Sequence, residues 1–572
     1  MGHDVLRLNH VGDWGTQFGM LITWFEQMEQ LEQLKVQREG RERKGGEGVG
    51  NGVGVGTGVS SDEGTEGEHT LASPGASAVS SLGDVESIEA SPLEASPLEA
   101  SPRPGDLTGD ITASSIGDLY RSAKQRFDKD EVFRDASRLA VVRLQGGEDM
   151  ECVALWEQLC SMSRVEFNGI YNKLGVDIEE RGESFYNALL DDTVDGVEAA
   201  GVATLSRGAM CAFPPDGRAG KEETPPPLIL RKGDGGYTYA ATDLAAIRHR
   251  IDVEKATRLV YVTDQGQKRH FEQVFWTARE AGIVPQSSTV TLEHVPFGLV
   301  LRKDGKKLQT RSGENIPLVD MLDEATTRAR ARLVETTAKR GVEETEAYLD
   351  SSAAIIGIGA AKYNDLSRRC TDDYKLSYDT MLALTGNTSS YIQYSCVRAT
   401  SILRRAKDGK EGEQGTDGKE SKEWKERRER RERSTVHPTP STKGPGGTSE
   451  GAPLTATTST TSTIIPATTT AVDIDTCMSP IRLLEAEEIA LGRELVRFHD
   501  AIDDTGNELS PQRLCSFAYD VSQAFNRFYE ACPIMACESP EAKASRLALC
   551  SLTGRTLTQT MGLLGIGVVE RM

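Results

Sequence analysis

Hydrophobic residues along the chain recur either at the spacing of a helix or in short runs of strand length. One central stretch, residues 234–267, shows both patterns in succession. After a glycine turn, a short apolar run covers residues 237–241, and the apolar residues Leu244, Ile247 and Ile251 then recur at helical spacing. The next apolar run, residues 258–263, is of strand length and ends in a polar group. This order predicts a β-α-β unit, and such units build parallel sheets.

Helical spacing dominates most of the remaining chain. We expect helical segments over residues 115–174, 318–334, 345–363 and 386–406. From residue 480 onward the pattern is helical, with helices predicted over residues 510–529, 540–552 and 554–564. The pattern predicts an α/β region followed by an antiparallel helical bundle.

Two long stretches have the composition of low-complexity insertions. Residues 38–110 are rich in glycine and contain three tandem copies of Glu-Ala-Ser-Pro, and residues 407–472 hold an alternating basic and acidic run before a Thr/Ser/Pro tract. Such stretches bury too little apolar surface to offset the entropy lost on ordering. We therefore expect both to be disordered surface insertions.

Composition narrows the class of protein. The 572 residues leave room for two or three domains. A net charge of -21 argues against a uniformly basic nucleic-acid binder, although it is compatible with a local basic groove. The ten cysteines are scattered, with neither CxxC pairs nor zinc-ligand spacing, which is typical of a reduced intracellular protein. No apolar run approaches the ~20 residues that a membrane span requires.

Three polar side chains make the central stretch a candidate binding site. Tyr239, Asp243 and Gln267 fall where the predicted strands end, and ligands of parallel sheets bind at the carboxyl ends of strands. A carboxylate, a phenol and an amide together suit a planar cation such as guanidinium, which needs several acceptors. Tyr239 and Asp243 are four residues apart and share one face if the helix starts early.

This stretch also has a structural interpretation. Asp243 is a residue type that commonly caps the N-terminus of a helix, and it stands where the predicted helix begins. His270, three residues after Gln267, either supports the candidate pocket or simply begins the next helix.

Two further loops carry candidate chemistry. Near the start of the chain, His10 and Asp13 flank Gly12, and glycine permits close backbone approach. The alternative is that this loop only packs Trp14 against the core.

The second loop, residues 300–313, is basic. Lys306, Lys307 and Arg311 crowd a glycine-containing turn that suits a phosphate group, and the alternative is a basic surface hairpin.

Four stretches resemble the catalytic domain of the arginyl-tRNA synthetases, a family of class I aminoacyl-tRNA synthetases. They are Leu8–Gly19 (LNHVGDWGTQFG), Arg181–Tyr186 (RGESFY), Asp234–Gln267, and His294–Gly313, which runs from HVPFGLV to DGKKLQTRSG. The part from Gly386 to the terminal LLGIGVVERM resembles the anticodon-binding helical domain of the same enzymes, of the DALR type. The resemblance extends from residue 1 to residue 572 and is broken by the two insertions.

The resemblance implies a fold and its domain boundaries. The fold is α/β: a Rossmann-like parallel-sheet catalytic domain of class I synthetases, truncated at its N-terminus, followed by an all-α anticodon-binding bundle. Residues 1–37 and 111–380 form the catalytic domain, and residues 381–406 and 473–572 form the helical domain. The two insertions occupy residues 38–110 and 407–472.

The resemblance also implies roles for individual residues. Tyr239, Asp243 and Gln267 hold the arginine side chain. ATP contacts His10, Gly12, Asp13, Lys307 and Thr310. Lys306, Lys307 and Arg311 are the catalytic cations of the loop that corresponds to the KMSKS loop, in which Gln309 stands where relatives often have a lysine. Asn526, Tyr529 and Met572 contact tRNA.

These roles imply an ATP-dependent arginine–tRNA ligase. It forms arginyl-adenylate and transfers arginine to the 3′ end of its tRNA. The expected partners are tRNA(Arg), L-arginine and ATP, with Mg²⁺ arriving on ATP and no metal held by the protein itself. We expect a monomer in the cytoplasm, with an organelle as the alternative, and no membrane association.

One departure from the family pattern leaves two other functions open. No stretch matches the HIGH signature, which precedes the first strand in relatives and contacts ATP, so we expect the chain as written to be part of a longer protein. The first rival is a tRNA-binding pseudo-synthetase that no longer activates arginine. The second is a nucleotidyl-transfer enzyme of the same sheet class that acts on a small molecule.

Overall fold

The computed structural model of the chain describes residues 3–28, 113–214, 226–287, 289–301, 305, 317–408, 481–537 and 539–572. The chain forms two compact units, one of residues 13–166 and one of residues 1–12 with 167–572. The predicted insertions, apart from residues 407 and 408, lie outside the described residues, as do residues 306–311 of the basic loop. Their predicted character and roles therefore stay predictions.

The smaller unit is helical. Residues 16–28 form α1, and α2 (Ala113–Lys129), α3 (Glu131–Gly146) and α4 (Met150–Leu174) follow, the last turns of α4 belonging to the larger unit. Asp130 caps α3 by accepting a hydrogen bond from Phe133 N at 3.1 Å, and Gly147 ends it in the left-handed conformation. The prediction of helices over residues 115–174 is confirmed.

The strands of the larger unit form small sheets. A helix α5 (Leu190–Ala199) stands between β2 and β3 in the chain. The first sheet is a parallel pair, β1 (Leu8–Asn9) with β2 (Glu179–Glu180). The second is antiparallel and has three strands, β3 (Ala203–Ser206), β4 (Ala209–Ala212) and β5 (Leu228–Arg231). Two further parallel pairs follow, β6 (Arg258–Asp264) with β7 (Thr291–Phe297) and β8 (Val300–Leu301) with β9 (Tyr374–Lys375).

The predicted β-α-β unit was wrong in its assignment of elements. A helix, α6 (Tyr239–Asp252), does precede β6, but β5 in front of it belongs to the antiparallel sheet. The run over residues 237–241 is not a strand because Tyr239 already begins α6. The parallel partner of β6 is β7, and the helix that crosses between them is α7 (Lys268–Glu280).

The N-terminal half of α6 is fixed by close packing. Its residues Ala240, Ala241, Leu244, Ala245 and Ile247 are at most 3% exposed. The alanines bring the helix backbone close to its neighbours, while larger side chains from β5, β6 and α7 fill the space around it: Leu230, Leu259, Phe271, Val274 and Phe275. This packing determines where the first two turns of α6 hold their polar side chains.

The remainder of the larger unit is mainly helical. After β8 come α8 (Leu318–Arg340), α9 (Glu346–Leu366), α10 (Tyr378–Met381) and α11 (Ser389–Lys407), and from residue 486 onward α12 (Ala486–Val496), α13 (Phe498–Glu508), α14 (Gln512–Ala531) and α15 (Pro540–Leu563). The helices predicted over residues 318–334 and 345–363 are confirmed as α8 and α9. None of the helices in the described ranges is both long enough and apolar enough to cross a bilayer.

The prediction of two helices over residues 540–564 was wrong. Gly554 lies inside one continuous helix, α15, and does not break it. A Cβ at Gly554 would lie 3.5 Å from the Cβ of Ala399 on α11, so this glycine stands at the contact between two packed helices. Such packing stabilises a helix beyond its intrinsic propensity.

A buried ion pair ties α12 to α15. Arg546 Nε donates to Glu488 Oε1 at 2.6 Å, and the other oxygen of Glu488 accepts the backbone N–H groups of Leu484 and Glu485. Burial alone would raise the pKa of Glu488, but the backbone donors and Arg546 together hold that pKa below its ordinary value of 4.5. The Glu488 carboxylate therefore stabilises the helical region in its charged form.

Glu488→Gln is expected to destabilise the helical region in a pH-dependent way. Because the folded-state pKa of Glu488 is depressed, its stabilisation is present above about pH 4.5 and is lost as the pH falls through the folded-state pKa. Breaking a buried pair of this kind costs about 3–5 kcal/mol of unfolding free energy. Thermal unfolding near pH 7 should show the variant well below the wild type, and the gap should shrink only as the pH falls below about 4.5. A gap that does not change with pH would contradict this account.

Gly357→Ala is expected to destabilise the packing of α8 on α9. An added Cβ would lie 2.6 Å from Cα and N of Thr326, and backbone cannot rotate away from it. We expect thermal unfolding to show a loss of about 1–3 kcal/mol. The control is Gly554→Ala, also within a helix, where the added Cβ meets only an ordinary contact and higher helix propensity should give a gain of about 0.5–1 kcal/mol. Equal effects of the two variants would contradict the prediction.

Candidate functional site

Tyr239 and Asp243 share one face at the start of α6. Tyr239 is the first residue of the helix and Asp243 lies in its second turn, as the guanidinium-site interpretation requires. Asp243 is 9% exposed, whereas Tyr239 is 58% exposed. The alternative that Asp243 is the N-cap was wrong, because Thr238 occupies that position, with extended backbone and its N–H bonded to the carbonyl oxygen of Leu230.

His270 contacts Asp243 directly. Its Nε2 lies 2.6 Å from Asp243 Oδ2, which joins the first turn of α7 to the second turn of α6. His270 thus lies in the first turn of α7 and contacts the Asp243 carboxylate, while its role in a binding pocket stays a prediction. One oxygen of Asp243 is engaged by the protein before any ligand binds.

Gln267 stands at the carboxyl end of β6. It closes a single 3₁₀ turn, Gln265–Gln267, between β6 and α7, and its side chain is exposed. Asp264 shapes this turn by accepting the backbone N–H of Gly266 at 2.7 Å. Gln267 is thus three residues before His270, at the strand end where the sequence pattern predicted it.

His10 faces the far end of α6. Its ring packs on Tyr186 at 5.5 Å, and its Nδ1 is 3.4 Å from Nη2 of Arg250. Gly12 follows in the same unit and is partly exposed. Asp13 belongs to the smaller unit, where its carbonyl oxygen accepts a hydrogen bond from Trp156 Nε1 at 2.7 Å and the residue is 5% exposed.

Sequence reasoning missed a buried cluster around Arg250. Its guanidinium lies 3.5 Å from Tyr186 OH and 5.2 Å from the centre of the Tyr261 ring. Burial raises the pKa of Tyr261, Arg250 acts to lower it, and Asp243 raises it further, so the phenol is in electrostatic reach of both. The sequence carried two signals for this cluster. Arg250 comes seven residues after Asp243 and so lies on the same helix face, and Tyr261 occupies an inward-facing position of the strand β6.

The approach to the basic loop is held by backbone contacts. At Gly298, directly after β7, an added Cβ would lie 2.7 Å from the carbonyl of Asp372, so only glycine fits there without displacement. Leu299 N donates to Asp373 Oδ1 at 2.6 Å. Gly305 has a positive φ of 81° and lies against the side chain of Lys375. The candidate residues Lys306, Lys307, Thr310 and Arg311 lie outside the described residues.

Asn526 and Tyr529 meet at an aromatic and cationic cluster between α11 and α14. The Arg398 guanidinium is 4.7 Å from the ring centres of both Tyr394 and Tyr529. It donates to Asn526 Oδ1 at 2.9 Å, and Asn526 Nδ2 donates to Tyr391 OH at 2.8 Å. Asn526 is therefore bound into the fold as well as facing the cluster.

A cleft of about 300 Å³ opens beside this cluster. Its lining combines two aromatic rings, two amides and one charged group of each sign with two small residues: Tyr391, Tyr519, Gln523, Asn526, Arg527, Glu530, Thr385 and Gly386. Rings offer stacking surfaces and the polar groups offer hydrogen bonds to base edges, which is how single-stranded RNA is read.

Met572 lies on a different part of the helical region. It packs against the core formed by α8 and α9, and its carbonyl oxygen accepts a hydrogen bond from Arg340 on α8. Next to it, Arg571 pairs with Glu344 at 3.2 Å and lies over the ring of Tyr348. The last residues of the chain are thereby fastened to the helices that precede the bundle.

The chain matches two family models. The model described as "tRNA synthetases class I (R), catalytic domain" matches residues 1–40 and 103–378, and the model described as "DALR anticodon binding domain" matches residues 463–572. The first covers more than half of the chain. The order of the two matches follows the order of the α/β and helical regions described above.

Curated relatives match over the whole chain. An arginine–tRNA ligase from a Cyanothece strain is 38% identical, and one from Crocosphaera subtropica is 37% identical. Each comparison covers 100% of this chain and 74% of the relative. Two solved structures share the fold. Arginyl-tRNA synthetase from Plasmodium falciparum gives a TM-score of 0.62 at 24% identity over 100% of this chain and 70% of that one, and the Thermus thermophilus enzyme gives 0.56 at 19% identity over 81% and 71%.

Proposed function

Because the chain belongs to the arginyl-tRNA synthetase family of class I aminoacyl-tRNA synthetases, with a catalytic domain followed by a DALR anticodon-binding domain, we propose that it is an arginine–tRNA ligase. The reaction is the ATP-dependent formation of arginyl-adenylate, followed by transfer of arginine to the 3′ end of tRNA(Arg). The observation that carries this proposal within the site is the buried carboxylate of Asp243, on the same helix face as Tyr239.

Asp243 and Tyr239 have the chemistry of a guanidinium site. Asp243 neutralises the cation and keeps Oδ1 available, while the exposed phenol of Tyr239 and the amide of Gln267 accept hydrogen bonds without adding charge. A planar fork of donors satisfies several such acceptors at once. The ammonium of lysine has no such fork, so the site discriminates against lysine.

Activation of arginine requires positioning and charge stabilisation. The arginine carboxylate attacks the α-phosphate of ATP, and pyrophosphate leaves with its negative charge. Lys306, Lys307 and Arg311 are proposed to stabilise that charge, and His10, Gly12, Asp13, Lys307 and Thr310 to contact ATP, which brings Mg²⁺ as part of the substrate. In support, His10 lies at the end of β1, which is the edge where ligands of parallel sheets bind.

Binding of tRNA is assigned to the helical domain. The cluster of Arg398, Tyr394 and Tyr529 joins a cation to two ring faces, and the adjoining cleft has room for a base. Met572 remains a proposed tRNA contact on the α8 side of this domain.

Asp243→Asn is expected to weaken L-arginine binding by about tenfold to hundredfold while ATP binding changes little, because a hydrogen bond to a charged group is worth about 1.5–3 kcal/mol. Calorimetric titration of the full chain with each ligand checks this. The control is Asp252→Asn on the same helix, whose carboxylate is 62% exposed and lies 3.8 Å from Arg248. Loss of both ligands to the same degree would argue against the arginine site.

Pyrophosphate exchange separates the ligase from the two rivals. Exchange that depends on arginine supports the ligase. Binding of tRNA without such exchange would select the tRNA-binding pseudo-synthetase, and failure to bind tRNA would select the small-molecule enzyme.

Tyr529→Ala is expected to weaken tRNA(Arg) binding by about fivefold to hundredfold, because stacking of a base on a ring contributes about 1–3 kcal/mol. Tyr529→Phe, which keeps the ring over Arg398, should retain most of the affinity. Filter binding at one fixed salt concentration measures both variants, and L-arginine binding should be the same in all three proteins. Equal loss in the Ala and Phe variants would show that the hydroxyl, and not the ring, is the important group.

A further inference from the structure

The carboxylate proposed to bind arginine already has a titratable partner. Asp243 Oδ2 lies 2.6 Å from His270 Nε2, with the two side chains 13% and 29% exposed. At this distance a hydrogen bond from Nε2–H to the carboxylate is short and charge-assisted when the imidazole is protonated. A protonated His270 would therefore occupy Asp243 with a cation before arginine arrives.

Neighbouring rings hold His270 in this orientation. The His270 ring stands edge-on to Phe271 at 5.3 Å and 78°. Phe271 in turn stacks on His294 of β7 at 4.9 Å and lies 5.0 Å from Tyr261 of β6. The imidazole consequently reaches Asp243 from a packed position and not as a free surface side chain.

The charged and titratable groups around His270 come from several elements. Asp243 on α6 contacts His270 directly, and His294 on β7 interacts with it electrostatically. Tyr261 on β6 contacts Phe271, the neighbour of His270. Lys268 and Glu272 belong to the same helix as His270.

Groups on the other packed elements have partners of their own. On the turn before α7, Asp264 accepts the backbone N–H of Gly266, and on β5, Arg231 is 3.7 Å from Asp195. His294 has its pKa lowered by burial and then by Lys268, and its Nε2 lies 2.8 Å from Thr263 Oγ1. The lowered pKa disfavours the charged form of His294, and His270 is the imidazole that contacts the carboxylate.

We propose that His270 is the positioning residue of the arginine site and that arginine binds there in exchange for a proton of His270. The inference rests on the proposed function, because it requires that Asp243 receive the arginine guanidinium. His270 in its charged form carries protons on both ring nitrogens. When the guanidinium arrives, His270 keeps Nε2–H on Asp243 Oδ2 and releases the Nδ1 proton to solvent, so that one cation replaces another beside a single carboxylate.

Two consequences follow for the binding of arginine. Where His270 carries a proton on both ring nitrogens, arginine competes with that charge for Asp243, so its affinity falls as the pH falls. Where the imidazole is neutral, it still donates Nε2–H, fixes one oxygen of Asp243 and leaves Oδ1 for the guanidinium. A histidine at this position thereby couples orientation of the carboxylate to proton release.

The experiment is calorimetric titration of the full chain with L-arginine at about pH 5.5, pH 6.5 and pH 8. At each pH it is repeated in two buffers of different ionisation enthalpy, which reports proton release. We expect the arginine affinity of the wild type to be lower at the lowest pH than at the highest, with up to one proton released per arginine bound at low pH.

Variants distinguish proton exchange from mere packing. His270→Gln keeps a neutral N–H donor at the reach of Nε2, so its arginine affinity should be close to that of the wild type at pH 8, and independent of pH, without proton release. His270→Ala should bind arginine more weakly at every pH. The matched control is His249→Gln on α6, which removes an imidazole 3.5 Å from Glu254 and should leave the proton exchange unchanged.

The outcomes separate this inference from the function on which it rests. Arginine binding by the wild type that neither weakens at low pH nor releases a proton would overturn the inference and leave the arginine site intact. Retention of proton release in a folded His270→Gln protein would overturn it as well. If the wild type bound no arginine at any pH, the proposed function would fail first. The wild-type titration tests the exchange even if a variant does not fold.

Discussion

A buried carboxylate is the constraint on which the catalytic region depends. Charge removed from water is costly unless it is paired and hydrogen-bonded, so Asp243 can remain nine-tenths buried only where another element supplies a donor. That donor is His270 at the start of α7, and its position requires the crossover from β6 to β7. The alanines of α6 bring the helix close enough to the sheet for the pair to meet. The packing of α6, the crossover from β6 to β7 and the need for a hydrogen-bond donor thus all favour the same position for the Asp243 carboxylate.

The same helix carries a cation on the face that holds the carboxylate. Arg250, two turns beyond Asp243, joins Tyr186 and His10 to the core residue Tyr261. The loop after β1 therefore contacts, through Arg250, the helix that carries Asp243. In a low-dielectric interior such groups act on each other more strongly than in water, which is why the phenol of Tyr261 responds to both charges.

Family membership and local geometry give complementary information about activity. The matched models and the full-length relatives identify the class of reaction. The geometry adds that one oxygen of Asp243 is engaged by His270 and that Arg398 is clasped between two tyrosines in the helical domain.

The sequence by itself determined which segments are helices and strands for most of the chain, and that an α/β region precedes a helical one. It also placed Tyr239 and Asp243 on one helix face. These follow from local periodicity and from spacing within a helix, which short-range sterics decide. Only the tertiary structure decided that β6 pairs with β7 and not with the strand before α6, that Gly554 continues a helix, and that Asp243 is no cap but the partner of His270. Each of these depends on which distant segments pack together: strand pairing joins residues far apart in the chain, and burial against α11 or α7 overrides what glycine or aspartate favours locally.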